Sequence, residues 1–384
     1  MPVSYPYTQY SGIWTMQQVN SAISAGTWPA APGPALFSWG WNNSGALGLG
    51  NTTNYSSPKQ IGSLIVWDNV STDNRASKAI KTDGTLWTWG VNNYGQLGLG
   101  NTTSYSSPKQ VGAYTNWRST AGLYEGSTIA IKTDGTLWSW GNNFYGALGL
   151  GNTTSYSSPK QVGALTTWLN IAGGNTHAIA VKTDGTLWTW GQNNLGQLGL
   201  GNTTNYSSPK QVGALTTWLN LVAGAYFTLA IKTDGTLWSW GRGSAGALGL
   251  GNTTYYSSPK QVGALTTWLK GSSDNEFSMV TKTDGTLWGW GENSQGQLGL
   301  GNITSYSSPK QVGSLTTWSN VAVGIYYTLA TTTNGTLYAW GGNNFGQLGL
   351  GNTTNYSSPK QVGSLTTWLS ISAGRYSSLT IKTT

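Results

Sequence analysis

Residues 168–217 read WLNIAGGNTHAIAVKTDGTLWTWGQNNLGQLGLGNTTNYSSPKQVGALTT, and the chain repeats this unit with small changes along most of its length. The dipeptide Trp-Gly marks the period, at Trp39, Trp89, Trp140, Trp190, Trp240, Trp290 and Trp340. Successive marks lie 50 residues apart, except for one interval of 51. A regular array of this period folds as one continuous body, so the length of 384 residues does not call for two or three domains.

The unit predicts four strands. The first begins near Trp168 and ends at Gly173-Gly174, and the second spans 177–182, rich in small and β-branched residues. Asp184-Gly185 then predicts a two-residue type I′ hairpin, which needs positive φ at both positions. The third strand spans 186–190, a Gly- and Asn-rich loop follows over 191–208, and a short fourth strand lies around 210–212. No segment shows an apolar period of 3.6, which excludes a helical solenoid. Four antiparallel strands repeated radially make a propeller blade.

The termini say how the ring closes. Seven Trp-Gly marks accompany only six complete hairpins, at Asp83, Asp134, Asp184, Asp234, Asp284 and Asn334. The chain ends on Ile381-Lys382-Thr383-Thr384, where a seventh hairpin should begin, and its repeats start with a third strand at Ala35–Trp39. The last blade is therefore shared, with two strands from 368–384 and two from 35–66, which leaves few free edges. The expected fold is all-β: a seven-bladed β-propeller of four-stranded antiparallel blades over 35–384, with a short helical extension over 1–34.

The string D-G-T-L-W-x-W-G-x-N-x-x-G-Q-L-G-L-G-N, followed by S-P-K-Q-V, resembles the regulator-of-chromosome-condensation repeat. The resemblance covers 35–384 and implies the same seven-bladed fold. Kelch repeats share the period, but their paired-Gly, Tyr and Trp arrangement does not recur here; Gly173-Gly174 is the one such pair at its position.

Most of the unit is nearly invariant between copies. Two windows are not: the turn between strands one and two, and the stretch after Trp-Gly, such as 192–195 and 242–245. In an antiparallel blade both windows lie at the same end, so one face of the disc is diversified and the other uniform. Loops on a rigid scaffold commonly carry recognition, and this face has a paratope-like content of Tyr, Asn, Ser and Gly. The candidate partner-binding residues are Tyr124, Glu125, Asn175, His177, Tyr226, Phe227, Glu276, Phe277, Tyr326, Tyr327, Arg375 and Tyr376. The competing reading is drift in surface loops, with some of the aromatics filling the central channel.

No catalytic constellation stands out. His177 is the single histidine and there is no cysteine; most Asp are consumed in Asp-Gly turns, and Glu125, Glu276 and Glu292 fall in different blades. L-G-L-G-N lacks the Lys-Ser/Thr and the following helix of a phosphate loop. N-x-T sequons at Asn51, Asn101, Asn152, Asn202, Asn252, Asn302 and Asn352 recur so regularly that a turn role is expected. Neither enzyme activity nor a cofactor or metal is expected.

Composition sets further bounds. Aromatic residues at 12%, with 22 Trp, exclude a disordered chain. The net charge of +8 comes mainly from Lys in a recurring PKQ and a recurring KT, hence from rings rather than a stripe, which argues against nucleic acid. No apolar run reaches the ~18 residues that span a bilayer, and the N-terminus does not read as a secretory signal.

Outside the repeat, Thr15-x-x-Gln18 reads as a capping box, with Met16, Val19 and Ile23 on one helical face and Gly26 and Pro29 ending the helix. Such a helix needs a partner surface, and Ile13, Trp14, Val19, Ile23, Trp28 and Pro29 are the expected anchoring residues. The string S-G-I-W…A-G-T-W-P resembles N-terminal segments of structural proteins from marine bacterial viruses. That resemblance implies a virion appendage, with other virion proteins as partners of 1–34 and a host surface protein or glycan as partner of the varied face. The alternatives are a secreted, protein-binding propeller similar to the β-lactamase inhibitor of the resembled family, and a nucleotide-exchange factor for a small GTPase. The last lacks a basic tail and any long insertion that could act as a wedge.

Overall fold

The computed structural model describes residues 33–64 and 66–383. The anchoring residues Ile13, Trp14, Val19, Ile23, Trp28 and Pro29, and the expected N-terminal helix, lie outside these.

Seven four-stranded antiparallel sheets are present among the described residues. Blades 2 to 7, numbered along the chain, span 67–110, 117–161, 168–211, 218–261, 268–311 and 318–361. Blade 4 shows the plan, with strands Trp168–Gly173, His177–Lys182, Leu187–Gly191 and Tyr206–Gln211 in sequence order from the centre outward. Blade 1 is composite: Tyr55–Gln60 and Pro34–Gly40 pair with Ser377–Thr383, and that strand pairs with Trp368–Ala373. The closing pair runs in unbroken register from Pro34↔Thr383 to Gly40↔Ser377. The first strands of neighbouring blades face one another around the axis and line a central channel of about 260 Å³ with small side chains such as Ser71, Thr120, Ala172 and Ser372.

The structure corrects two local expectations. The Asp184-Gly185 turn is not type I′, since Ala245 is the sole non-glycine with positive φ among the described residues. Lys182 and Thr186 close a three-residue loop instead, through Lys182 N–H to Thr186 O at 3.1 Å and Gly185 N–H to Lys182 O at 2.9 Å. Only Gly185, at φ 75°, takes the left-handed conformation. Asp184 is needed for its carboxylate, which accepts from the Thr186 N–H at 2.9 Å and the Thr186 hydroxyl at 2.6 Å. These bonds, the hydroxyl's first, hold the Asp184 carboxyl below its ordinary range. The Thr186 hydroxyl in turn accepts the Trp188 indole N–H at 2.9 Å.

The fourth strand is also longer and earlier than expected. Tyr206 pairs with Gly191 and Lys210 with Thr189 across an irregularity. Pro209 lies inside this strand, which is tolerated because the strand is an edge. Proline and lysine on each outer edge discourage pairing with another chain.

The core lies between blades rather than within them, as seven apolar clusters that each draw on two neighbouring blades. The Trp of each Trp-Gly is fully buried there, and its indole N–H reaches a backbone carbonyl of the preceding blade: Trp190 to Ala147 O at 2.8 Å, Trp240 to Gln197 O at 3.0 Å. Trp39 does the same across the closure, to Gln347 O at 2.8 Å. The sequon asparagines have the expected turn role. Asn202 accepts from the Thr204 N–H at 3.0 Å, and Asn193 donates to the Asn202 backbone carbonyl at 3.0 Å.

Candidate recognition face

Neighbouring residues of a strand point to opposite sides, and this divides the candidate list in two. His177, Phe227, Phe277 and Tyr327 begin second strands with their side chains buried between blades, so they present no surface to a partner. This corrects the expectation that they contact one. Burial lowers the His177 pKa to about 3, so the ring is neutral. Its Nε2 lies 3.2 Å from the Thr228 hydroxyl, and its Nδ1 has no partner among the described residues. Burial likewise raises the Tyr327 pKa, while its hydroxyl donates to Ser377 O at 2.7 Å. Gly174, Gly224 and Gly324 precede three of these rings by three residues, and a Cβ at any of them would collide with the ring of His177, Phe227 or Tyr327.

The other members reach the varied face. Glu125 is exposed, and Asn175, Tyr226, Glu276, Tyr326, Arg375 and Tyr376 are half-buried around the channel mouth. Backbone bonds tie several of the turns to the next blade: Tyr124 N–H to Gly174 O at 3.1 Å, Glu125 N–H to Asn175 O at 3.1 Å, and Asn175 N–H to Ala225 O at 2.9 Å. Side chains add to this, as Asn175 donates to the Tyr226 hydroxyl at 2.9 Å. Glu276 forms an ion pair with Arg242 at 2.7 Å, and Arg242 also lies 5.7 Å from the Tyr226 ring. Arg375 lies over the Tyr376 ring, which meets Phe345 at 5.0 Å. Burial, and after it the Glu292 carboxylate, raises the Tyr326 pKa.

Tyr124 behaves differently. It crosses the channel and donates its hydroxyl to Asp274, three blades away. Burial raises the Asp274 carboxyl to about 7, against the opposing pull of Tyr124, the Asn275 N–H and Arg375. Tyr124 thus spans the channel and lines its open space.

Residues outside the candidate list matter as well. Lys78 and Asp73 form a buried ion pair at 2.6 Å beneath the face, beside Gly122, where a Cβ would meet both side chains. Lys78 stands where blade 4 has Ile179, and Asp73 and Asp274 stand where it has Gly174. Superposing the repeats and asking where a buried position turns charged would have found all three. Arg75 lies 5.3 Å from the Trp41 ring. Among the described residues no group of three His, Asp or Glu side chains could hold a metal ion, and no helix is long and apolar enough to cross a membrane.

A rigid closed ring with a chemically varied rim defines a seven-bladed propeller of the repeat-built class. The sequence profile of the regulator of chromosome condensation (RCC1) repeat matches residues 35–70, 83–120, 134–181, 184–231, 234–281, 284–331 and 334–381. The chain belongs to the RCC1 repeat family. Among solved structures, it is similar to human WBSCR16, with 20% identity, TM-score 0.81, and coverage of 92% of this chain and 99% of that one. It is also similar to Prp20p from Saccharomyces cerevisiae, a structure described with its binding to Gsp1p and histones, at 18% identity, TM-score 0.81 and coverage of 92% of each chain. At these identities the likeness bears on the fold alone.

Proposed function

We propose that this propeller is a non-catalytic binding module whose varied face recognises a partner and whose residues 1–34 attach it to a larger assembly, a virus particle. One observation carries the recognition half. At a single structural position, the last residue of the first turn, the blades present Arg75, Gly126, Thr176, Tyr226, Glu276, Tyr326 and Tyr376, of which the five charged and aromatic members are exposed or half-buried, while most of the unit is nearly constant. Charged and aromatic groups that differ from blade to blade on a frame braced by hydrogen bonds make a preorganised surface, which lowers the ordering cost of binding. The attachment half rests on the resemblance of 1–34 to virion structural proteins and on its Trp14 and Trp28.

The experiment uses the full chain produced in its native particle. The chain is expected in purified particles, and Trp14→Ser with Trp28→Ser should remove it from them. Tyr226→Ala, Tyr326→Ala and Tyr376→Ala together should leave incorporation intact and reduce adsorption to target cells at least tenfold. A chain absent from particles overturns the virion reading. Undiminished adsorption overturns the recognition role of the face. Accelerated nucleotide release from a small GTPase would replace both with the exchange-factor reading.

A further inference from the structure

At the perimeter, away from the varied face, a groove opens between consecutive blades. The grooves at blades 2 and 6 each enclose about 350 Å³ and have matching linings: Leu64, Trp67 and Trp87 in one, Leu265, Trp268 and Trp288 in the other. Each pair of indoles meets edge to face, at 6.4 Å and 6.3 Å between centroids. An ammonium group sits over the second indole, Lys81 at 3.8 Å from the Trp87 centroid and Lys282 at 3.6 Å from that of Trp288. Blades 4 and 5 repeat the set, with Lys182 and Lys232 at 3.7 Å and 4.0 Å from Trp188 and Trp238. Among the described residues none of these four ammonium groups has a hydrogen-bond or ion-pair partner, and the first-strand indole N–H is unpartnered in every blade, at Trp67, Trp117, Trp168, Trp218, Trp268, Trp318 and Trp368. Burial lowers the pKa of Lys182 and Lys282.

Blade 3 shows what the groove accepts. Tyr114 replaces the linker leucine there. Its ring meets Trp117 edge to face at 6.0 Å and Trp138 at 5.8 Å, and Lys132 lies 3.2 Å from its centroid. The phenol stands against both indoles and the ammonium group while staying about half exposed. Blade 7 offers a contrast, with Thr332 in place of the lysine and Tyr338 in place of the second Trp.

We propose that the grooves of blades 2, 4, 5 and 6 are binding sites for aromatic side chains, tyrosine above all, of a partner polypeptide. An incoming ring gives the lysine a second π-face and the indoles an edge-to-face neighbour, as Tyr114 does. Four such sites on one rim let a partner with several tyrosines bind through avidity, with gains of about 10²-fold or more over one site. These sites lie apart from the varied face, so this proposal and the recognition role stand or fall separately.

The test follows the tryptophan indole N–H resonances of the full-length chain by NMR while N-acetyltyrosinamide is added. The resonances of Trp67, Trp168, Trp218 and Trp268 should shift in a saturable way, and those of Trp117 and Trp318 should not. Leu215→Tyr should silence the response of Trp218 alone, and Tyr114→Leu should create one at Trp117. Neither variant threatens folding, since each installs a residue found at that position in another blade. Lys232→Met should weaken the Trp218 site roughly three- to tenfold. The absence of saturable shifts, equal shifts at Trp318, or equal binding of capped cyclohexylalanine or methyl glucoside would overturn the assignment.

Discussion

At the scale of single residues, two of the buried titratable groups of the varied end, Asp274 and His177, pull stability in opposite directions. Asp274 ionises near 3.8 when exposed but near 7 when folded. Between those values the folded chain keeps a proton that the unfolded chain has released, so the Asp274 contribution falls as pH rises from about 4 to about 7 and stays low above that. His177 does the reverse: its neutral ring is favoured in the fold, so stability is lost as pH falls from 6.5 toward about 3. Asp274→Asn keeps an acceptor for the Tyr124 hydroxyl and removes the charge. By urea unfolding the variant should gain about 2–4 kcal/mol over the parent at pH 8 and be level with it at pH 4. An equal gain at both values would mean that Asp274 is not held protonated by burial.

At the scale of strands, the Trp-Gly positions explain why the repeat needs tryptophan rather than any large apolar residue. Each ring bridges to the blade before it, but the carbonyls it meets differ. Gln197 O also accepts the Thr228 hydroxyl at 2.9 Å, whereas among the described residues Ala147 O receives only Trp190, because Ala178 stands where the other blade has Thr228. Trp240→Phe and Trp190→Phe remove the same ring volume, yet Trp190→Phe leaves a buried carbonyl without a donor. It should cost about 1–2 kcal/mol more, measured as the difference between two urea-unfolding free energies. Equal losses would show that the indole N–H contributes nothing beyond packing. Strand number, order and closure were legible in the sequence because Trp-Gly, Asp-Gly and the truncated ends recur at fixed spacing. The turn type was not, because Asp-Gly serves both a two-residue loop and a three-residue loop whose carboxylate reaches Thr186. The outer strand was under-read because Pro209 suggests a break, and only its place at an edge removes the conflict. Of the candidate site, the face was legible from where the repeats differ. Which of two adjacent residues points outward was not, since Tyr226 and Phe227, or Tyr326 and Tyr327, look alike until the register is known.

At the scale of the whole molecule, closure determines how the ring comes apart. In an open array each unit contacts only its neighbours, terminal units are least supported, and damage at an end stays local. Here the first and last strands sit in the middle of one sheet, joined over seven register pairs, and blade 1 contributes to core clusters with both blade 7 and blade 2. Leu36 in the closing blade and Leu187 in blade 4 are both fully buried third-strand residues. Truncating either to Ala should cost about 2–5 kcal/mol. Because the ring has no privileged end, the two variants should show similar losses, one transition each, and the same denaturant slope as the parent. If the closure were merely two frayed ends laid together, Leu36→Ala would release blade 1 first, giving an early separate transition and a shallower main one, while Leu187→Ala would not. Urea unfolding followed by both tryptophan fluorescence and far-ultraviolet circular dichroism separates the two cases, since only a local opening makes the probes disagree.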